Sequence, residues 1–256
     1  MLQLERTPER TRPRLKVEFA SSPAMVREAQ ALRWRVFAEE FGARLSSPVA
    51  GLDMDRYDAH CEHLLVRDAA SGEVVGTYRI LGGERSLDAG GFYSESEFDL
   101  TRVLPLRPHI MEMGRACVHP DYRSGATITL LWAGLADFIL RHKVQYLLGC
   151  ASVPMHDGGH HAAAVFRRLE RDRMGPADWR VFPHCRLPLE RLLGEDSADI
   201  PALIRAYLRV GAVVCGEPAW DADFNTADLL LMLPTSKIDH RYARHFLGSA
   251  EVDGIL

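Results

Sequence analysis

The chain has 256 residues, of which 47% are hydrophobic, and a formal net charge of −4, enough apolar content to fill one large domain or two small ones. The slightly acidic balance gives no global basic field, which excludes wholesale nucleic-acid binding. No apolar run approaches the roughly 18 residues that span a bilayer, and the polar start lacks the apolar stretch of a secretory signal, so a cytoplasmic location is expected.

Residues 1–14 read as a flexible basic arm: Arg6, Arg10, Arg12 and Arg14, with Lys16 just beyond, outnumber Glu5 and Glu9. Such an arm is either solvated or drawn to anionic lipid or an acidic carrier protein. Leu15 to Phe19 alternates like a short strand, and Ser21-Ser22-Pro23 supplies a cap and first-turn proline for a helix from Ala24 to Phe41, ended by Gly42. His63–Asp68 and Val74–Leu81 are rich in branched residues and joined by Ala70-Ser71-Gly72, which predicts an antiparallel hairpin.

Leu104-Pro105-Leu106-Arg107-Pro108 breaks regular structure before a strand over His109–Val118, and a long helix follows over Gly125–His142. Val144–Val153 reads as a strand and Ala162–Asp172 as a short helix. Beyond Pro176 the pattern predicts a helix over Ile200–Val210, strands over Ala212–Cys215 and Ala227–Leu233, and a last helix over Asp239–Leu247. No repeat or linker divides the chain. The predicted organisation is one mixed α/β domain, with a core over 15–175 and a C-terminal extension over 176–256 packed on it.

The most informative run is Glu112-Met113-Gly114-Arg115-Ala116-Cys117-Val118-His119-Pro120, continuing into Asp121 to Thr127. It joins a carboxylate on a strand to a helix start suited to anions, a combination that fits acyl transfer from a thioester. Amide formation needs an uncharged amine, so a base is required. Glu112 is the candidate, since a carboxylate in a partly dry cleft has its pKa raised; the alternative is that it pairs with Arg115 or caps a strand edge. Arg115, three residues on, faces the opposite way in a regular strand, so a bulge is needed to bring both into one site. Such a bulge would splay the neighbouring strands and free a backbone N–H for an oxyanion. Arg115 in a structural salt bridge is the other reading.

The element order, together with Arg33-Trp34-Arg35-Val36-Phe37, the aspartates Asp53, Asp55 and Asp58, Gly76 to Leu81, Gly91 to Leu100 and Glu112 to Arg115, resembles the GNAT acyltransferase fold. Within it, these words are similar to the bacterial ornithine-lipid N-acyltransferases and, more distantly, to the acyl-homoserine-lactone synthases. The likeness is dense from Arg33 to Ser152 and looser through 207–212 and 215–218. The resemblance implies transfer of a 3-hydroxyacyl chain from acyl carrier protein, as co-substrate, to the α-amine of L-ornithine. It implies no tightly bound cofactor and peripheral contact with the inner membrane. The rivals are a lactone synthase and a GNAT enzyme that uses acyl-coenzyme A and another amine.

By motif, the resemblance carries Arg33, Phe37, Asp53, Arg79, Glu112 and Arg115 over as site residues. Arg33 and Phe37, at i and i+4, are expected to present a cation and a ring together toward the donor, and Arg79 joins that group. Arg123, Ser124, Gly125, Ala126 and Thr127 resemble a phosphate loop at a helix start, although Gly125 follows Arg123 by two residues rather than three. Asp53, Asp55 and Asp58 are either an attractor for the two ammonium groups of ornithine or a solubilising loop. Ser152 is an acceptor-side hydroxyl that can also stand in for the tyrosine acid missing from 162–172. No metal is expected: His156, Asp157, His160 and His161 surround a glycine turn, and thioester aminolysis needs no metal. Cys117 with His119 could serve as nucleophile and base, but a buried small residue is the expected role of the cysteine.

Overall fold

The computed structural model describes residues 14–123, 125–193 and 198–238; the basic arm up to residue 13, Ser124 and the last expected helix lie outside them. β1 (Leu15–Phe19) leads to α1 (Pro23–Trp34), whose start is fixed as expected, with the Ser22 hydroxyl accepting the Met25 N–H and proline at the first position. The helix does not continue unchanged to Phe41. Over Arg35–Glu40 it widens into a π-helical turn, in which Phe41 N–H donates to the Val36 carbonyl, before Gly42 closes it in the left-handed region.

β2 (Glu62–Asp68) and β3 (Val74–Gly82) form the antiparallel hairpin. They are followed by α2 (Gly83–Asp88), β4 (Phe98–Asp99) and β5 (Ile110–Val118). α3 (Ala126–His142) crosses over to β6 (Tyr146–Pro154), and α4 (His160–Glu170) follows. β7 (Phe182–Pro183) pairs with β4 in a small separate ladder. α5 (Ala202–Arg209), β8 (Val213–Val214), β9 (Ala219–Asp221) and β10 (Thr226–Pro234) complete the described chain.

The main sheet runs β1-β2-β3-β5-β6-β10-β8, with β9 also on β10. Among the described strands the parallel ladder is β5–β6, the pair that needs the α3 crossover. Strand alternation sorts side chains onto two faces. Leu64, Tyr78, Met113 and Leu147 pack with Leu131 and Leu135 of α3, and Ala151, Val153, Leu229 and Leu231 pack with α4. The other face carries α1 on Leu65 and Val74, and the irregular segment 92–104 on Leu81, Leu148, Leu230 and Met232.

Two irregularities in β5 decide what the sheet can hold. Pairing with β6 stops at Glu112 opposite Leu148, after which β6 remains paired only with β10, so the two central strands part in a fork. Against β3, Gly114 faces Arg79 and Cys117 faces Thr77, so Arg115 and Ala116 together occupy the width of Tyr78. This is the bulge that the spacing of Glu112 and Arg115 requires. Arg115 has φ of 50°, inside the left-handed region. The extra residue reverses the in–out parity, so that Arg115 shares a face with Glu112. Cys117, five residues after Glu112, packs on that same face under α1.

At the fork, a Cβ built on Gly149 would lie 2.5 Å from the Met113 carbonyl oxygen. Gly149→Ala is expected to destabilise the fold by about 2 kcal/mol through overpacking. Thermal melts should show this as a loss of roughly 5 °C, and an unchanged melting temperature would mean that the strands do not approach there.

Candidate active site

Three arginines and three aspartates meet beside the bulge. Arg33 is fully buried, with Nε 2.9 Å from Asp53 and one terminal nitrogen donating to both Asp58 oxygens at 2.9 and 2.8 Å. Arg79 donates to Asp55 at 2.6 and 2.7 Å and to Asp58 at 3.0 Å. Arg115 reaches Asp53 at 3.2 Å and lies 3.6 Å from Asp55, with its guanidinium over the rings of Tyr93 and Phe224 at 4.8 Å each. Gln30 of α1 adds a 2.9 Å bond to Asp58.

This geometry differs from the expectations for these residues. Asp53, Asp55 and Asp58 do not present free negative charge to a diammonium substrate, because three guanidiniums already neutralise them. Arg33 faces its carboxylate partners and not a donor. Phe37 does line the central cavity, edge-on to Phe224 at 5.7 Å.

Glu112 sits on β5 at the last residue before the fork. Its carboxylate accepts the Tyr93 N–H at 2.6 Å, the Ser94 N–H at 2.8 Å and the Ser94 hydroxyl at 2.5 Å. Burial pushes its pKa up, and these donors offset part of that rise. A carboxylate offers about four acceptor directions; three are taken here, which leaves one on Oε2. Glu112 therefore anchors the 93–96 turn and does not pair with Arg115.

A cavity of about 390 Å³ passes through the fork and is lined by Glu112, Gly114, Arg115 and Ala116. On the α3 and α4 side its wall is apolar, with Met113, Leu147, Leu231 and Leu233. Tyr78 and Tyr207 also lie on this side, with their hydroxyls hydrogen-bonded to each other. On the other side the wall is polar, with Arg79, Tyr93, Cys150, Ser152 and Asp228.

That polar wall contains acids that the motifs do not include, Asp221 and Asp228. Asp228 is buried, and it accepts a hydrogen bond from the Thr226 hydroxyl at 2.8 Å. Glu97 approaches it: single ligand atoms of Glu97, Cys150 and Asp228 lie within 4.8 Å of one another. Burial first, then the negative charges of Asp228 and Asp221, push Glu97 up to about 9. Asp228 had a signal in the sequence, as an acid at the head of the apolar run Leu229–Leu233. Ser152, facing Asp228 across the ladder, is hydrogen-bonded to it.

Of the phosphate-loop residues, Arg123, Gly125, Ala126 and Thr127 do not line this cavity. Both terminal nitrogens of Arg123 are paired with Glu40, at 2.6 and 2.7 Å. Gly125 turns the chain at φ 93° into α3, which starts at Ala126. The buried Thr127 hydroxyl donates to the Tyr122 carbonyl. Cys117 is a core residue whose thiol burial pushes up to about 12, while His119 accepts the Asp121 N–H; the two do not form a nucleophile–base pair. Asp157 accepts the N–H groups of Gly159 and His161, which organises the start of α4.

Comparison with known proteins agrees with this architecture. The acetyltransferase (GNAT) domain model matches residues 32–133. The L-ornithine N(alpha)-acyltransferase of Brucella abortus (strain 2308) is 36% identical over 250 residues, covering 91% of this chain and 88% of the relative. That of Rhizobium meliloti (strain 1021) is 37% identical over 250 residues, covering 91% and 84%. The crystal structure of TofI, in a ternary complex with an inhibitor and MTA, matches with a TM-score of 0.54 at 17% identity over 93% of this chain and 98% of that one, a likeness of fold.

The ion cluster has a pH signature. Burial pushes Asp58 up, but Arg33 and Arg79 pull it further down, to about 2. Its folded-state value lies below the unfolded one, so its stabilisation is complete above the ordinary carboxylate range, near pH 4, and is lost as pH falls through about 2. Urea titrations at descending pH should show a loss of about 2 kcal/mol from this group. Asp58→Asn should lack that component and be destabilised at neutral pH by about 3 to 5 kcal/mol, since two buried guanidiniums lose a partner.

Proposed function

The chain belongs to the L-ornithine N(alpha)-acyltransferase family, and on that premise we propose that it joins a long 3-hydroxyacyl chain, delivered as the thioester of acyl carrier protein, to the α-amine of L-ornithine. The product is a lyso-ornithine lipid, as the first step of ornithine-lipid synthesis. The observation that carries this reading is the cavity through the β5–β6 fork, apolar on one side and polar on the other. A reaction that links a fatty chain to an amino acid needs those two environments on either side of one reacting carbon.

In this mechanism the pantetheine arm enters the gap between the parted strands, and the acyl tail lies against Leu231, Leu233 and their neighbours. The amino acid occupies the polar half. Glu112, with a raised pKa and one open acceptor direction, takes a proton from the α-ammonium, directly or through one water. The amine nitrogen attacks the thioester carbon. The tetrahedral oxyanion is stabilised by backbone N–H groups of the bulge at 114–116 and by the fixed positive charge of Arg115. As the C–S bond breaks, the attacking nitrogen gives up its second proton, which passes through solvent or the Ser152 hydroxyl to the departing thiolate.

Among the described residues no helix is long and apolar enough to cross a membrane. The amphiphilic product leaves, in this reading, by peripheral contact of the protein with the inner membrane. Arg123 stays a candidate for the phosphate of the carrier's prosthetic group, because its bond to Glu40 is partly exposed and exchangeable.

Two measurements test the proposal. With a panel of acyl-carrier thioesters, acyl-coenzyme A and amino acids, mass spectrometry should find N-acylornithine as the main product and the carrier-bound donor as the better one. Equal turnover of acyl-coenzyme A would remove the carrier protein from the scheme. Glu112→Gln should lower kcat on the order of 10²- to 10⁴-fold and abolish the acid-side fall of the wild-type pH profile. Full activity across the pH range, in a variant with native circular dichroism, would exclude Glu112 as the base.

A further inference from the structure

The charged groups around the cavity divide into two sets that differ in one respect. Asp53, Asp55 and Asp58 each have guanidinium partners. Beside the polar wall, the groups that act most strongly on Glu97 are themselves acids, Asp228 and Asp221, and a hydrogen bond to Asp228 comes from the Thr226 hydroxyl. Both Glu97 carboxylate oxygens are sealed from solvent with no donor in good geometry. Leaving buried carboxylates in this condition is costly unless they share a proton or receive a cation. A positively charged ligand in the cavity would supply what the fold omits.

The sheet also fixes where that ligand's charge must lie. Glu112 faces Leu148 on β6, Cys150 is one two-residue step further, and Ser152 faces Asp228 one step beyond that. At the usual strand rise, the acids lie about 7 to 13 Å along β6 from the level of the proposed base. The side chains of Glu112, Leu148, Cys150, Ser152 and Asp228 line the same cavity, and Glu97 adjoins it through Cys150 and Asp228. An amino acid with its α-nitrogen at Glu112 therefore extends its side chain toward Glu97 and Asp228.

We infer that Glu97 and Asp228, with Asp221 as a third negative charge, bind the side-chain ammonium of the acceptor amino acid and so set the preference for a basic side chain. This rests on the acyltransferase reading above and adds to it the residues that choose the acceptor. An ammonium has three N–H donors, which match the two carboxylates and the Ser152 hydroxyl. A metal ion held by the same acids and Cys150 is the competing occupant. The Cys150 thiol is pushed well up, first by burial and then by the negative charge of Glu97 and Asp228, whereas a metal ligand must be a thiolate.

The test compares L-ornithine with L-norvaline, which keeps the three-carbon side chain and lacks its ammonium. Wild-type enzyme should acylate ornithine with a kcat/KM at least 100-fold above that for norvaline. In Glu97→Gln/Asp228→Asn, and more weakly in Asp228→Asn alone, kcat/KM for ornithine should fall at least 50-fold, mainly through KM. Norvaline kcat/KM should fall far less than that for ornithine, and native circular dichroism and melting temperature show that the variants are folded. A parallel fall for both amino acids, or an unchanged ornithine KM, would overturn the assignment. So would an ornithine preference that EDTA removes and a divalent metal restores. A wild-type enzyme that acylates no ornithine would instead overturn the acyltransferase reading itself, and the inference with it.

Discussion

The interaction on which the site depends is the contact of three guanidiniums with three carboxylates beside the β5 bulge. Its members come from α1, from the 53–58 loop, from β3 and from the bulge itself, so that one neutral cluster ties four separate pieces of chain. A buried cluster of this kind adds little net stability, because desolvation offsets most of the attraction, but breaking one member is expensive. Its effect is on shape. Arg115 carries its side chain in the left-handed region, a conformation that costs roughly 1–3 kcal/mol for a residue with a Cβ. Asp53 and Asp55 hold it there, and with it the reversal of parity that puts Glu112 and Arg115 on one face.

The same cluster explains why charges that look alike in the sequence differ in use. An aspartate that faces two arginines is a structural element, low in pKa and closed to ligands. An aspartate among leucines, with a glutamate as neighbour, stays protonated or waits for a positive charge. Asp58 and Asp228 represent the two cases within one domain, one lowered to about 2 and the other raised. Charge partners, and not charge itself, separate scaffold from binding wall.

Much of this architecture is legible in the sequence, for identifiable reasons. The hairpin, β5, α3 and β10 follow from alternation or from 3.6-residue periodicity, and the Ser22-Pro23 start of α1 follows from cap chemistry. The bulge follows from the three-residue spacing of Glu112 and Arg115, which regular pleating cannot place on one face. The π turn over Arg35–Glu40 leaves no such trace, because an i→i+5 bond has no composition signature, and neither does the burial of Arg33 against Asp53 and Asp58, which depends on contacts across the fold. The aspartates near residue 55 read as exposed because their arginine partners lie 20 or more positions away along the chain. Asp228 was visible as an acid beside a run of leucines. Its partner Glu97, by contrast, is one of several acids in the 91–100 segment, and only the folded chain brings the two together.

Consecutive residues of β10 serve opposite faces of the sheet: Asp228 joins the polar wall, whereas Leu231 and Leu233 join the apolar one. In the proposed function, substitutions at odd positions of this strand therefore reshape the pocket for the fatty chain, while those at even positions alter the amino-acid side, so that under this proposal lipid length and headgroup can drift independently. The strand's pleat makes the two specificities separate inheritable traits within nine residues.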